Sequence, residues 1–161
     1  MERAAELTPN ALPVYRSPEG MVEVLQPSYP VYCVRTAKIR EVAKIFLRGF
    51  PGDVLYAVKC NSEPHMLQEL YQAGVRHFDT ASLPEIALVS GMFSNGQTYF
   101  MHPVKSRAAI SSAYRDYGVR YYVVDHPSEL EKISDLIDPS PEVVIVVRIA
   151  VEHSGAVYEL S

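Results

Sequence analysis

The sequence predicts a parallel α/β fold assembled from repeated strand–helix units, and three observations predict it. Apolar, strand-like runs start near Val54, Val75, Thr98, Tyr121 and Val143, a period of roughly 22 residues that suits βα units. Each of the first four runs precedes a segment with helical spacing of its apolar residues. The last, Val143 to Ile149, is too apolar for anything but a buried strand. A leucine-rich solenoid shares such a period, but its leucine and asparagine signature is absent. Strands alternating with long helices suit a parallel sheet instead.

The elements follow in order. Met1 to about Ser28 carries Pro9, Pro13, Pro18 and Pro27 and reads as an arm or loop. Tyr29 to Val34 reads as a strand. Thr36 then caps a helix whose apolar face is Ile39, Val42, Ala43, Phe46 and Leu47. Asp53 to Asn61 holds six residues of high β propensity between Pro51-Gly52 and Asn61-Ser62, which makes it the first buried parallel strand. Ser62 and Pro64 open a helix bearing Leu67, Leu70 and Tyr71, stopped by Gly74. Ser106 opens another with Ile110, Ala113, Tyr114 and Tyr117, stopped by Gly118. Ser128 precedes Leu130, Ile133, Leu136 and Ile137, with Pro139 and Pro141 beyond.

Composition narrows the function classes. The chain has 161 residues, 48% hydrophobic and 21% charged, with net charge −4 and no basic cluster. Those values fit one globular domain and exclude a dedicated nucleic-acid or anionic-membrane binder. The amino-terminal residues lack the apolar core of a signal peptide and no apolar run has transmembrane length, so cytoplasm is the default expectation. Cys33 and Cys60, without a disulfide framework, read as reduced thiols. No histidine has metal-ligand spacing, so no metal is expected.

Lys59 is the residue around which the rest is arranged. Alternation along a strand puts Leu55, Ala57 and Lys59 on one face, with small Ala57 leaving room for a ligand beneath the amine. A desolvated lysine can form a Schiff base, while a strand-end lysine can equally snorkel to water, and the pattern leaves both readings open. Asp79 ends the second strand in the equivalent position, either as a site carboxylate or as the N-cap of the next helix. Ser82-Leu83-Pro84-Glu85 spells a capping box, which explains Glu85 without a ligand. Arg148, in the most apolar segment, must be paired if buried, with Asp79 or Asp125 as structural partners. His102 and Lys105 flank Pro103 after the third strand as weaker candidates.

The motif Tyr56-Ala57-Val58-Lys59-Cys60-Asn61 resembles the cofactor-lysine motif of the ornithine/diaminopimelate/arginine decarboxylase family. Phe78 to Ser82 with Glu85-Ile86, His102 to Lys105, Val124-Asp125 with Glu129-Leu130, and Val147 to Ile149 resemble the family's next four strand motifs, in order. The resemblance runs from about Pro30 to Ser161, and the ornithine decarboxylase branch fits best. It implies a (β/α)8 barrel of the alanine-racemase type, of which about the first five units are present. It implies pyridoxal 5'-phosphate as cofactor, bound by Lys59, Ala57, Asp79, Glu85 and Arg148, with Lys59 catalytic. It implies decarboxylation of a basic amino acid, L-ornithine to putrescine first among them, by a homodimer with shared sites. A lysine or diaminopimelate decarboxylase, a racemase of the same fold, or a non-catalytic binding relative are the alternatives.

The expected division is residues 1–34 as an arm with strands belonging to a β domain, including Met21 to Val34, and residues 35–161 as the first part of the barrel. Five units leave two unpaired strand edges and an uncovered interior, so more chain or a partner is expected. The family's phosphate-binding glycines, ring-stacking histidine, pyridinium glutamate and catalytic cysteine have no counterparts before Ser161. These 161 residues alone are therefore expected to bind the cofactor weakly.

Overall fold

In the computed structural model, which describes residues 12–138 and 141–149, the chain divides into units of Met1–Arg35 and Thr36–Ser161. The first unit corrects two expectations. A helix, α1 (Pro18–Leu25), stands where an arm was expected. Ser17 caps it, its Oγ accepting from the Gly20 N–H at 3.1 Å, Pro18 supplies the fixed φ of the first turn, and Gln26 closes it in the left-handed region at φ 44°. A hydrogen bond from its own backbone N–H, and a second from the Ser17 hydroxyl, hold the Glu19 carboxyl below its usual range. Counting prolines hid a start signal, because a proline just after a serine begins a helix rather than breaking one. Tyr29 to Val34, expected as a strand, lies in no regular element, and Met21 to Val34 contributes no strand.

The second unit runs α2 (Thr36–Gly49), β1 (Leu55–Ala57), α3 (Pro64–Ala73), β2 (His77–Thr80), α4 (Leu83–Met92), β3 (Gln97–Phe100), α5 (Arg107–Arg115), β4 (Tyr121–Val124), α6 (Pro127–Ser134) and β5 (Val144–Val147). The five strands form one sheet in chain order, every neighbouring pair parallel. This is the predicted α/β architecture, with strand starts within two residues of those read from the sequence.

Register separates the two faces. Tyr56, Phe78, Phe100, Tyr122 and Ile145 point to one side, where they meet Leu67, Ile86, Ile110 and Ile133 of the helices in two apolar clusters. Phe78 and Tyr122 are fully buried there, each contributing about 1.5–3 kcal/mol by leaving water. The other side carries Leu55, Ala57, His77, Asp79, Gln97, Tyr99, Tyr121, Val123, Val144 and Val146. Among the described residues the apolar clusters that α2 to α6 form with the sheet lie on this one face, and the second face carries the polar side chains His77 and Asp79.

Helix ends differ from the sequence reading in instructive ways. Gly74 ends α3 in the left-handed region at φ 116°, as predicted. Ser106 caps α5, its Oγ accepting from the Ala109 N–H at 3.2 Å, also as predicted. For α6 the cap is His126, whose ring nitrogen accepts from the Ser128 N–H at 3.2 Å, not Ser128 itself. Thr36 is the first residue of α2 rather than its cap, and only Ile39, Ala43 and Leu47 of the expected face pack inward, with Val42 and Phe46 exposed. Val143 to Ile149 was expected to be buried. It supplies the edge strand instead, with Val144, Val147 and Ile149 exposed, because no further strand pairs with β5 among the described residues.

A Gly-Val-Arg tripeptide recurs at the entry to β2 and β4. Arg76 stacks 3.9 Å over the Tyr71 ring and donates to the Tyr71 carbonyl at 2.6 Å, while Arg120 stacks 4.5 Å over Tyr114 and donates to its carbonyl at 3.3 Å. These clamps tie each helix end to the next strand at the amino-terminal rim. The opposite rim is thereby left to the loops that follow the strands.

Candidate active site

Lys59 does not extend β1 as the alternation argument supposed. β1 ends at Ala57, and a single 3-10 turn, Val58–Cys60, carries the lysine. Val58 is fully buried in the helix-side cluster, which pins the turn. On its far side the Tyr56 hydroxyl donates to the Asn61 carbonyl at 3.1 Å, and Asn61 Oδ1 accepts from the Glu63 N–H at 3.0 Å. Lys59 therefore projects from a turn fixed at both ends, exposed at the carboxyl rim of the sheet.

Asp79 sits one strand away, in register with Ala57 on one side and Tyr99 on the other. Burial pushes its carboxyl above the usual range, the Lys59 charge pulls it back and Glu85 adds to the rise. Lys59, Asp79 and Glu85 thus share one electrostatic neighbourhood, with the methyl group of Ala57 on the same face. Glu85 is held by its Oε2 accepting from the Ala81 N–H at 2.8 Å. The expected capping box is not made: Ser82 occupies the N-cap without a side-chain bond, and Glu85 reaches past it to Ala81. Asp79 is not a cap either, so its helix-capping reading falls away.

Arg148 departs from expectation. It follows β5, its backbone N–H donating to the Val124 carbonyl at 2.8 Å, and it is exposed rather than buried. It shares the carboxyl rim with Lys59 and Asp79. Three strand spacings, roughly 14 Å across a flat sheet, separate its strand from that of Asp79, and no ion pair joins it to Asp79 or Asp125. Burial was inferred from the apolar run, but an edge strand exposes what a central strand would cover.

Sequence reading missed a polar group below Asp79 on the same face. His77 Nδ1 lies 2.8 Å from the Tyr99 hydroxyl and its Nε2 is 3.3 Å from Asp53 Oδ1, while the Tyr99 and Tyr121 rings meet tilted, with centroids 4.3 Å apart. Burial pushes the Tyr99 hydroxyl up, and Tyr121 and Asp53 reinforce the shift. The period-2 placement of His77 and Asp79 on β2 was the available signal. His102 and Lys105 also part company: His102 is exposed, whereas Lys105 is buried among backbone carbonyls.

The residues present fit an aldehyde cofactor. Lys59 is an accessible primary amine, Asp79 interacts electrostatically with it and with Glu85, and Ala57 adds only a methyl group on that face. No group of three metal-ligating side chains occurs among the described residues, and both cysteines are free and exposed. No described helix is long and apolar enough to cross a membrane. A groove of about 410 Å³ lies elsewhere, on the helix side, lined by Leu130, Ile133, Ile137, Val143 and Ile145. Its apolar walls offer no counterpart to the Lys59 neighbourhood.

Comparison with known proteins bears on this arrangement. Residues 36–161 match the family described as pyridoxal-dependent decarboxylase, pyridoxal binding domain. A lysine/ornithine decarboxylase of Selenomonas ruminantium is 33% identical over 126 residues, 77% of this chain and 31% of that protein. An ornithine decarboxylase of Leishmania donovani is 33% identical over 135 residues, 81% of this chain and 18% of that protein. A solved structure of a lysine/ornithine decarboxylase from Vibrio vulnificus, complexed with putrescine, aligns with TM-score 0.66 at 28% identity, over 81% of this chain and 35% of that one. The chain thus spans about a third or less of the length of the proteins it matches.

Proposed function

The chain belongs to the pyridoxal-dependent decarboxylase family, its residues 36–161 matching the pyridoxal binding domain, and from that premise we propose that it carries the cofactor lysine of an enzyme that decarboxylates a basic amino acid, L-ornithine to putrescine. The observation that carries the proposal is Lys59, presented by a pinned turn at the carboxyl rim beside the desolvated Asp79. Pyridoxal phosphate, when bound, supplies an electron-accepting ring for the pair released as the α-carboxylate leaves. Lys59 Nζ is the amine that would hold the cofactor through its aldehyde, with loss of water, and that would exchange places there with the substrate α-amine. Asp79, with its raised carboxyl, and Glu85, fixed on Ala81, set the charge around that nitrogen. Ala57 leaves space for the ring, and Arg148 contributes a cation at the far side of the rim.

Ornithine is favoured over lysine by the fit of the strand motifs to the ornithine branch, and relatives named for ornithine support that choice. The same reading carries a homodimer with sites shared between subunits, and a cytoplasmic role in polyamine synthesis. Assaying the complete gene product for carbon dioxide and diamine release from ornithine, lysine, arginine and diaminopimelate tests it. Ornithine should give the highest kcat/KM. A tenfold preference for another substrate, or racemised amino acid as the product, would displace the ornithine reading.

A further inference from the structure

At the carboxyl rim of the sheet, backbone rungs continue two of the strand pairs one step beyond the strands. Between β2 and β3 the Met101 N–H donates to the Thr80 carbonyl at 2.9 Å, and between β4 and β5 the Arg148 N–H donates to the Val124 carbonyl at 2.8 Å. Between β3 and β4 the pairing stops at Phe100 and Tyr122, because the chain turns away at His102-Pro103. The Val123 carbonyl, which faces β3, accepts instead from Lys105 Nζ at 2.6 Å. The same ammonium donates to the His102 and Pro103 carbonyls, both at 3.0 Å, and lies 3.6 Å from Glu129 Oε2. Its side chain is fully buried, so three donors meet three carbonyls in a closed cage. Lys132 braces the cage by donating to the Lys105 carbonyl at 2.9 Å and pairing with Glu129.

We propose that Lys105 is a positioning residue for the cofactor site, a side-chain rung that sets the spacing of β3 and β4 at the carboxyl rim and thereby holds the Asp79 side of the site against the Arg148 side. The proposal rests on the reading that Lys59, Asp79 and Arg148 face the cofactor. Its physical basis is that the sheet on the two sides of this gap is joined at the rim by the Lys105 ammonium, where the other two rungs are backbone. Burial pulls the Lys105 pKa down and the Glu129 charge opposes that fall. Removing the ammonium leaves the Val123 carbonyl without its donor and frees the His102–Lys105 loop. The effect passes along β4 to the rung that carries Arg148.

The test uses Lys105→Met, which keeps the length of the stem, in the complete gene product. Pyridoxal phosphate affinity is measured by absorbance titration, and the borohydride-reduced adduct is mapped by mass spectrometry. Lys105→Met should still form the adduct at Lys59 at saturating cofactor, with affinity at least tenfold weaker than the parent. Combined with Arg148→Ala, it should bind no more weakly than the worse single variant, because both act through one rim. Ile110→Val, buried in the helix-side cluster, lowers stability without touching the rim and should leave affinity unchanged. If Lys105→Met does not fold, Lys105→Arg keeps the charge but cannot aim three donors around one point, and should weaken cofactor binding severalfold. Parental affinity in the folded lysine variant, additive losses with Arg148→Ala, or an equal loss in Ile110→Val would each overturn the positioning role. An adduct mapped to a lysine other than Lys59 in the parent would overturn the underlying site reading instead.

Discussion

Replacing Glu129 by Gln probes the buried ion cluster at its centre. Glu129 lies in the first turn of α6 at 5% exposure, its Oε2 accepting from the Lys105 N–H at 3.3 Å and facing Lys105 Nζ at 3.6 Å, while the other oxygen pairs with Lys132. Removing one partner of a buried pair costs about 3–5 kcal/mol. Here the Lys105 ammonium keeps three carbonyls and Lys132 is partly solvated, so the loss belongs at the low end, about 3 kcal/mol. Burial pushes the Glu129 carboxyl up, but the Lys132 hydrogen bond, the Lys105 N–H and the Lys105 charge outweigh it and hold it below its usual range. A depressed carboxyl stabilises the fold above its unfolded pKa, about 4.3, and that contribution is lost as pH falls through the folded value. Urea unfolding of parent and Glu129→Gln should therefore show the full penalty at pH 7, unchanged to about pH 5, and a shrinking penalty below about pH 4. A penalty under about 1 kcal/mol at pH 7, well short of a broken buried pair, or one independent of pH, would refute the reasoning.

Three other outcomes are expected. Gly74→Ala forces φ 116° on a residue with a Cβ and brings it 3.3 Å from Leu47 Cδ1, so it should lower stability by about 1–2 kcal/mol, and an unshifted urea midpoint would contradict this. Asp79→Asn removes a carboxyl whose raised pKa makes the native state hold its proton more tightly than the unfolded one. Without cofactor, the stability of the variant relative to the parent should therefore increase as pH rises from the unfolded carboxylate range through the folded pKa, and a flat difference across acid pH would count against it. Ala57→Leu fills the space beside Asp79, so pyridoxal phosphate affinity should fall at least tenfold while the fold persists, as far-ultraviolet circular dichroism and an affinity titration would report.

The order and direction of the strands were legible because apolar runs and helix punctuation act locally: Gly74 and Ser106 did what their chemistry demands. What the sequence hid was set by tertiary context. Ser17-Pro18-Glu19 opens a helix that the surrounding prolines disguised. His126 displaced Ser128 as a cap because its ring nitrogen meets the Ser128 N–H. Val143 to Ile149 read as buried by composition, yet exposure depends on which strand lies alongside, and Arg148 shares that fate. Of the site residues, Lys59, Asp79 and Glu85 converge electrostatically on one side of the rim, although β1 stops two residues short of the lysine. Lys105 could not be told from His102 by motif alone, since only the stopped β3–β4 pairing gives its ammonium a place.

The identity of the cofactor lysine is open to direct test. Borohydride reduction of the complete gene product with pyridoxal phosphate, followed by peptide mass spectrometry, should place the phosphopyridoxyl group on the peptide containing Lys59, and Lys59→Ala should lose that label together with most turnover. A label on another lysine, or turnover undiminished in Lys59→Ala, would contradict it.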